Sequence, residues 1–261
     1  MLSTPSVQRI NGSTGWRARR IEFFDLPEGA VVVKGQRAPR SAVRVYLQQM
    51  LMRLGGQTLL QPVPARGGYE AQNTEVRRLQ QLAQAGVRVP QLLHVAQEYI
   101  VMQRLQGQTL HHYLTQEPSR ALAMFRQGLR ELAALHANGQ YLSQAFTRNT
   151  LVVDGDFYYI DFEDDPSEVL SLVDAQARDV CAYLLSSVWC IHAPHALVLE
   201  VWTEECAHMA GDLLVRLRQV SHGLRWLRHL PRQRPPWGRD VVALGALAQF
   251  MVQWQSAASV H

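Results

Sequence analysis

The apolar and polar positions divide the chain into a β-rich first part and a helical second part interrupted by one hairpin. Arg19–Phe24 and Ala30–Lys34 are β-prone and joined by Asp25-Leu-Pro-Glu-Gly29, which predicts a small antiparallel sheet over residues 7–34. Ahead of them Asn11-Gly-Ser-Thr-Gly15 is a short glycine loop. It is not a full G-x-G-x-x-G and reads as an ordinary turn, though such a loop can also lay backbone N–H groups over phosphates. Arg40–Leu54 repeats apolar residues at helical spacing and stops at Gly55-Gly56. Glu70–Ala85 is the next helix, with Val76, Leu79, Leu82 and Ala83 on one face and Gly86 and Pro90 closing it. Leu92–Ala96 and Tyr99–Gln103 form a second hairpin. Beyond Arg104–Gly107 the pattern turns helical: a short His111–Leu114, then Ser119–His136, Ala175–Trp189, His195–Leu217 and Val241–Trp254. The expected class is α+β, with residues 1–103 as a small antiparallel lobe and 104–261 as a larger helical one.

The stretch Arg148–Pro166 interrupts the helices. Thr150–Val153 and Phe157–Ile160 flank Asp154-Gly155, the strongest short signal for a tight hairpin because glycine tolerates φ > 0. The hairpin sets Asn149 before its first strand and Asp161 after its second, so the two meet at its open end. One neutral oxygen and one carboxylate converging there suit Mg2+ bound to a nucleotide's phosphates. Asp161, Glu163, Asp164 and Asp165 follow within five positions. That much negative charge beside a Tyr-Tyr-Ile strand demands a cation or a basic surface in reply.

Composition narrows the picture. A chain of 261 residues, 47% hydrophobic and 18% charged, is globular and large enough for two lobes. No 18-residue apolar run predicts a transmembrane segment, and the first residues lack a secretory apolar core, so the expected location is cytoplasmic. The net charge is +4, and of 26 basic residues only Lys34 is a lysine. A compact ammonium fits a slot that a guanidinium fork does not, which marks Lys34 as a candidate; the other reading is an exposed edge-strand lysine. Glu75 borders the buried face of its helix and either reaches Lys34 or serves Arg77 or Arg78 in solvent.

Other candidates carry less. Cys181, Cys190 and Cys206 form no C-x-x-C pair and read as buried thiols. Cys190, His192, His195, Glu204, Glu205, Cys206 and His208 match no zinc spacing, so the histidines read as surface residues, as do His111 and His112. Seven arginines between Arg216 and Arg239, with Trp226 and Trp237 interleaved, suit an anionic acceptor on a glycan, lipid or protein. A solvated face that offsets the acidic run is the other reading. Nucleic acid is not the expected partner.

The order of strand lysine, helix glutamate, hairpin, long helix, asparagine, hairpin and aspartate resembles the protein-kinase-like superfamily over roughly residues 10–190. The finer likeness is to compact atypical kinases: the RIO-like and KEOPS-associated group, lipopolysaccharide sugar kinases, and small-molecule kinases of the aminoglycoside and choline type. The resemblance rests on Glu75-Val-Arg-Arg-Leu79, Gly86-Val-Arg-Val-Pro90-Gln-Leu92, Leu135-His136-Ala-Asn-Gly139, Ile160-Asp-Phe-Glu163 and Asp179-Val180. It implies a two-lobed fold with ATP in the cleft, Lys34 on the α- and β-phosphates, and Glu75 holding Lys34. Met102 would then lie behind a hinge that includes Gln103 and Leu105, with Asn149 and Asp161 as Mg2+ ligands and Asp179 bracing the catalytic loop. One departure stands out: where such kinases carry a catalytic Asp five residues before the asparagine, this chain has Gln144, and no Asp or Glu lies between Leu132 and Val153. Gln144 can orient a hydroxyl but cannot take its proton. Arg148 can neutralise phosphate or pair with Asp164 or Asp165, and either of these acids or Glu163 can stand in as base. The expectation is an ATP- and Mg2+-binding phosphotransferase with a degenerate catalytic loop; the alternative is an inactive pseudokinase that acts as a binding module.

Overall fold

The structure, a computed structural model, describes residues 2–37, 67–231 and 238–258. The expected helix Arg40–Leu54 lies outside them. The chain opens not with a sheet but with two short helices, α1 (Thr4–Gly12) and α2 (Gly15–Arg19), and the first strand begins only at Ile21. Burial explains the correction. Ile10 and Trp16 pack with Phe24, Leu26, Val31, Val33, Tyr99 and Val101, so the helices cover the outer face of the sheet. Trp16 donates its ring N–H to Ile10 O at 2.9 Å, satisfying the one polar atom it buries.

Strands β1 (Ile21–Leu26), β2 (Gly29–Gly35), β3 (Leu92–Val95) and β4 (Tyr99–Gln103) form a sheet in the order β1-β2-β4-β3. Its register pairs Ile21 with Lys34, Phe23 with Val32, Val32 with Met102, and Lys34 with Ile100. Cross-strand partners share a face. Phe23, Val32, Lys34, Ile100 and Met102 therefore lie on the inner face, where Ile100 and Met102 join the main core and Val32 packs against it. Between β2 and β3 runs α3 (Gly68–Gln84), which buries Leu79 and Leu82 and turns at Gly86, φ +76°.

The second lobe holds a three-stranded sheet of β5 (Gln108–Thr109), β6 (Thr150–Val153) and β7 (Asp156–Tyr159). Asp154 and Gly155 take φ of +52° and +91°, the left-handed pair that a tight hairpin needs. Gly107 enters this sheet so closely that a Cβ would stand 2.2 Å from Val152 O, which reserves the position for glycine. Around the sheet pack α4 (Leu110–Gln116), α5 (Pro118–Ala137), α6 (Leu172–Ser187), α7 (His195–Cys206), α8 (Gly211–Leu224) and α9 (Arg239–Ala258). Phe125, Leu129, Tyr183, Leu184, Trp202 and Phe250 fill the centre. His195–Leu217, expected as one helix, is two. Ala210 is extended (ψ 143°), and Asp212 sits in the first turn of α8, where a carboxylate favours a new N-terminus. No helix among the described residues is long and apolar enough to cross a membrane.

Candidate functional site

Lys34 is not an edge lysine: β2 lies between β1 and β4, and the side chain is only 8% exposed. Its ammonium donates to Glu75 Oε1 at 2.7 Å and to Asp161 Oδ1 at 3.0 Å. Glu75, 3% exposed, thus faces inward from α3. Arg77 turns instead to Asp165 (2.9 Å), and Arg78 donates to Tyr141 O at 2.7 Å. With Glu163 also 2.9 Å away, the ammonium is held among three carboxylates, and charge-assisted hydrogen bonds offset its desolvation.

The hairpin delivers the remaining groups. Ile160 donates its N–H to Asn149 O at 3.0 Å, which closes the open end and sets Asn149 beside Asp161. Asn149 donates its side-chain N–H to Gln144 O at 3.3 Å. Asp161 has φ +74°, a left-handed conformation that Asp tolerates better than most residues and that points to an over-determined site. Burial pushes the Asp161 carboxyl up, but the charge and hydrogen bond of Lys34, with the charges of Arg20 and Arg37, hold it below the usual carboxylate range.

Each acid in the run finds its own partner. Glu163, 4% exposed, is ringed by Lys34 (2.9 Å), Arg37 (3.5 Å) and Arg20. Asp164 accepts from Gln144 Nε2 at 2.8 Å. Asp165 accepts from Tyr141 Oη at 2.7 Å and from Ser167 N and Oγ, capping the 3-10 turn Pro166–Glu168. Burial raises the Asp165 carboxyl, and the hydrogen bonds of Tyr141 and Ser167 with the charge of Arg78 lower it further than that. A depressed folded-state pKa adds stability that is present above the unfolded value and lost as pH falls through the folded one. The urea midpoint is therefore expected to drop between about pH 5 and pH 2, and to drop less in Asp165→Asn. Equal slopes in the two proteins would contradict this account of Asp165.

The loop that carries Gln144 is anchored from below. Asp179, fully buried on α6, accepts from Leu142 N at 2.5 Å and lies 3.4 Å from His136 Nε2. Ser143 takes φ +77° between them. Exposed Arg148 stacks its guanidinium 4.4 Å from the centre of the Phe146 ring, one residue from Asn149. Met102, 7% exposed, pairs across from Val32, and Gln103 leaves the sheet as its N–H donates to Gln91 O at 2.9 Å. Leu105, half-buried, follows in the connection between the lobes.

Three further residues at the site carry no sequence motif. Arg20 and Arg37 reach Glu163, and Phe23, 58% exposed, lies on the Lys34 face with Arg104 4.7 Å from its ring centre. Strand alternation alone places Phe23 there; nothing in the sequence marks the two arginines out from the rest. The residues of the zinc-like set serve other ends. Glu204 and Glu205 bind Arg126, Glu205 also binds Arg130, and burial pushes the Cys206 thiol up to about 12. Among the described residues no three His, Cys, Asp or Glu side chains converge as a metal site. Asn149 and Asp161 do offer the amide oxygen and carboxylate that suit a hard cation whose other ligands are phosphate oxygens and water.

Residues 68–168, from α3 through the hairpin to the acidic run, match the RIO domain family model. That segment carries Glu75, Gln144, Asn149 and Asp161, and Lys34 meets Glu75 and Asp161 from β2. Over those residues the chain is protein-kinase-like. The chain is also similar to a MAP kinase of Leishmania major whose structure has been solved. The identity is 14%, covering 90% of this chain and 79% of that one, with a TM-score of 0.34, too loose a likeness to argue from. No curated protein matches the sequence.

Proposed function

We propose that the protein binds Mg·ATP between its lobes and transfers the γ-phosphoryl group to an acceptor hydroxyl. The observation that carries this reading is Lys34 bonded to both Glu75 and Asp161, residues 41 and 127 positions away in the chain. Lys34 holds the α- and β-phosphates, and Glu75 keeps its ammonium in place. Asn149 and Asp161 hold Mg2+, which when bound neutralises charge on the phosphates. Met102, Gln103 and Leu105 line the purine end, with Phe23 as an aromatic face on the same side of the sheet. Arg148 lies on the acceptor side of Asn149, and a positive charge there favours an anionic acceptor.

Gln144 stands where such enzymes place a base, and its amide holds Asp164 at 2.8 Å. Of the acids able to replace the missing Asp, Asp164 is the one hydrogen-bonded to Gln144, the residue in that position, which favours it. The acceptor O–H gives its proton to the Asp164 carboxylate, its oxygen bonds to the γ-phosphorus, and the bridging oxygen leaves with ADP. The second reading, an inactive binding module, is favoured by Gln144 itself, an amide that cannot accept the proton. ADP release in the presence of Mg2+ separates them. Turnover that requires Mg2+ supports transfer; binding of ATP without turnover supports the module.

A further inference from the structure

The glycine loop Asn11–Gly15 is turned to another use than holding phosphate: Trp16 N donates to Glu22 Oε2 at 2.9 Å, and Ser13 Oγ to the same oxygen at 2.7 Å. Side chains converge in its place. Arg20 adopts φ +70° at the entry to β1 and is fastened to Gly35, the residue after Lys34, from both sides. Gly35 N donates to Arg20 O at 2.7 Å, and Arg20 Nε donates to Gly35 O at 3.3 Å. Gly35 permits this approach, since a Cβ there would sit 3.1 Å from the Trp16 ring. The Arg20 guanidinium is thereby brought next to the Lys34 ammonium, and Arg37 joins from the far side of Glu163.

A carboxylate already occupies this cluster: Glu163 Oε1 is buried and meets Lys34 at 2.9 Å and Arg20, and Oε2 lies 3.5 Å from Arg37. A small pocket lined by Arg20, Lys34, Gln36, Arg37, Glu75 and Glu163 lies at the same place. Guanidinium forks match phosphate oxygens in geometry as well as charge. We infer that Arg20 and Arg37 complete with Lys34 a cradle for the phosphate chain of a nucleotide, and that Glu163 holds the place of a phosphate group until one binds. This rests on the nucleotide-binding reading above and extends it to residues that no motif marks.

The test is calorimetric titration of the full chain with Mg·ATP and, separately, with inorganic tripolyphosphate, using wild type, Arg20→Ala and Glu163→Gln. Loss of a charge-assisted contact should weaken both ligands roughly tenfold or more in Arg20→Ala. Removal of the competing carboxylate should tighten both by about the same factor in Glu163→Gln. A thermal melt of each variant confirms folding, and the gain expected for Glu163→Gln cannot arise from misfolding. Wild-type affinity in both variants overturns the cradle. So does weaker binding in Glu163→Gln, which would make Glu163 a ligand and not a stand-in, and so does failure of both ligands to bind wild type. Tripolyphosphate bound with these responses, while ATP is bound no better, sinks the nucleotide reading and leaves the cradle. ATP bound with no response in either variant does the reverse.

Discussion

Lys34→Met is expected to abolish Mg·ATP binding and to lower stability by about 3 kcal/mol, the low end for removing one partner from a buried ion pair. The ammonium lies within 3.0 Å of carboxylate oxygens on Glu75, Asp161 and Glu163. Methionine fills much the same volume and answers none of them. Glu75, buried on α3, suffers most. Glu163 keeps Arg20 and Arg37, and Asp161, with 38% of its side chain exposed, keeps water, so the cost stays below that of three orphaned charges. Urea unfolding and an ATP titration on the same preparation separate the two effects. Lys34→Arg should fold better than Lys34→Met and still bind ATP poorly, because the planar fork cannot point at Glu75 and Asp161 together from this strand position. Unchanged affinity in Lys34→Met would remove the ammonium from the nucleotide site.

Asp164→Asn carries the second large effect. If Asp164 takes the acceptor's proton, turnover should fall by ~10²–10⁴ while Mg·ATP affinity barely changes. On that reading Gln144, hydrogen-bonded to Asp164, acts as a positioning residue, and Gln144→Ala should lower turnover less. Gln144→Asp in the Asp164→Asn background returns a carboxylate to the loop that Asp179 anchors at Leu142 N, and turnover should partly recover. A merely structural hydrogen bond predicts no such recovery. Asp164→Asn turning over at the wild-type rate would rule Asp164 out as base.

Much of this arrangement is legible in the sequence because local chemistry dictates it. Asp154-Gly155 fixes the hairpin, and the hairpin fixes the separation of Asn149 and Asp161. The single lysine among 26 basic residues stands out by composition, and its burial agrees with that prominence. The unanswered acids foretell basic partners, but only the fold says which: Lys34, Arg20 and Arg37 for Glu163, Arg77 for Asp165, and the Gln144 amide for Asp164. Local pattern misleads where tertiary packing wins. Residues 7–19 carry turn signals, yet Ile10 and Trp16 gain more by folding as helices over the sheet than the segment gains as an extra strand. His195–Leu217 has helical periodicity throughout, and the break at Ala210 is invisible without the core that both halves face. Arg20 is hidden for another reason. Its placement depends on a left-handed backbone and on Gly35, neither of which a motif records.

The most direct measurement is calorimetric binding of ATP, with and without Mg2+, to wild type and to Asp161→Asn. Asp161 is tied to Lys34 at 3.0 Å and follows Ile160, whose N–H meets Asn149 O across the hairpin mouth, so loss of its charge should remove the magnesium-dependent part of binding without unfolding the lobes. Magnesium-dependent binding in wild type that Asp161→Asn abolishes is the predicted result. Binding by the variant that equals wild type, or no binding by either protein, would contradict the nucleotide site.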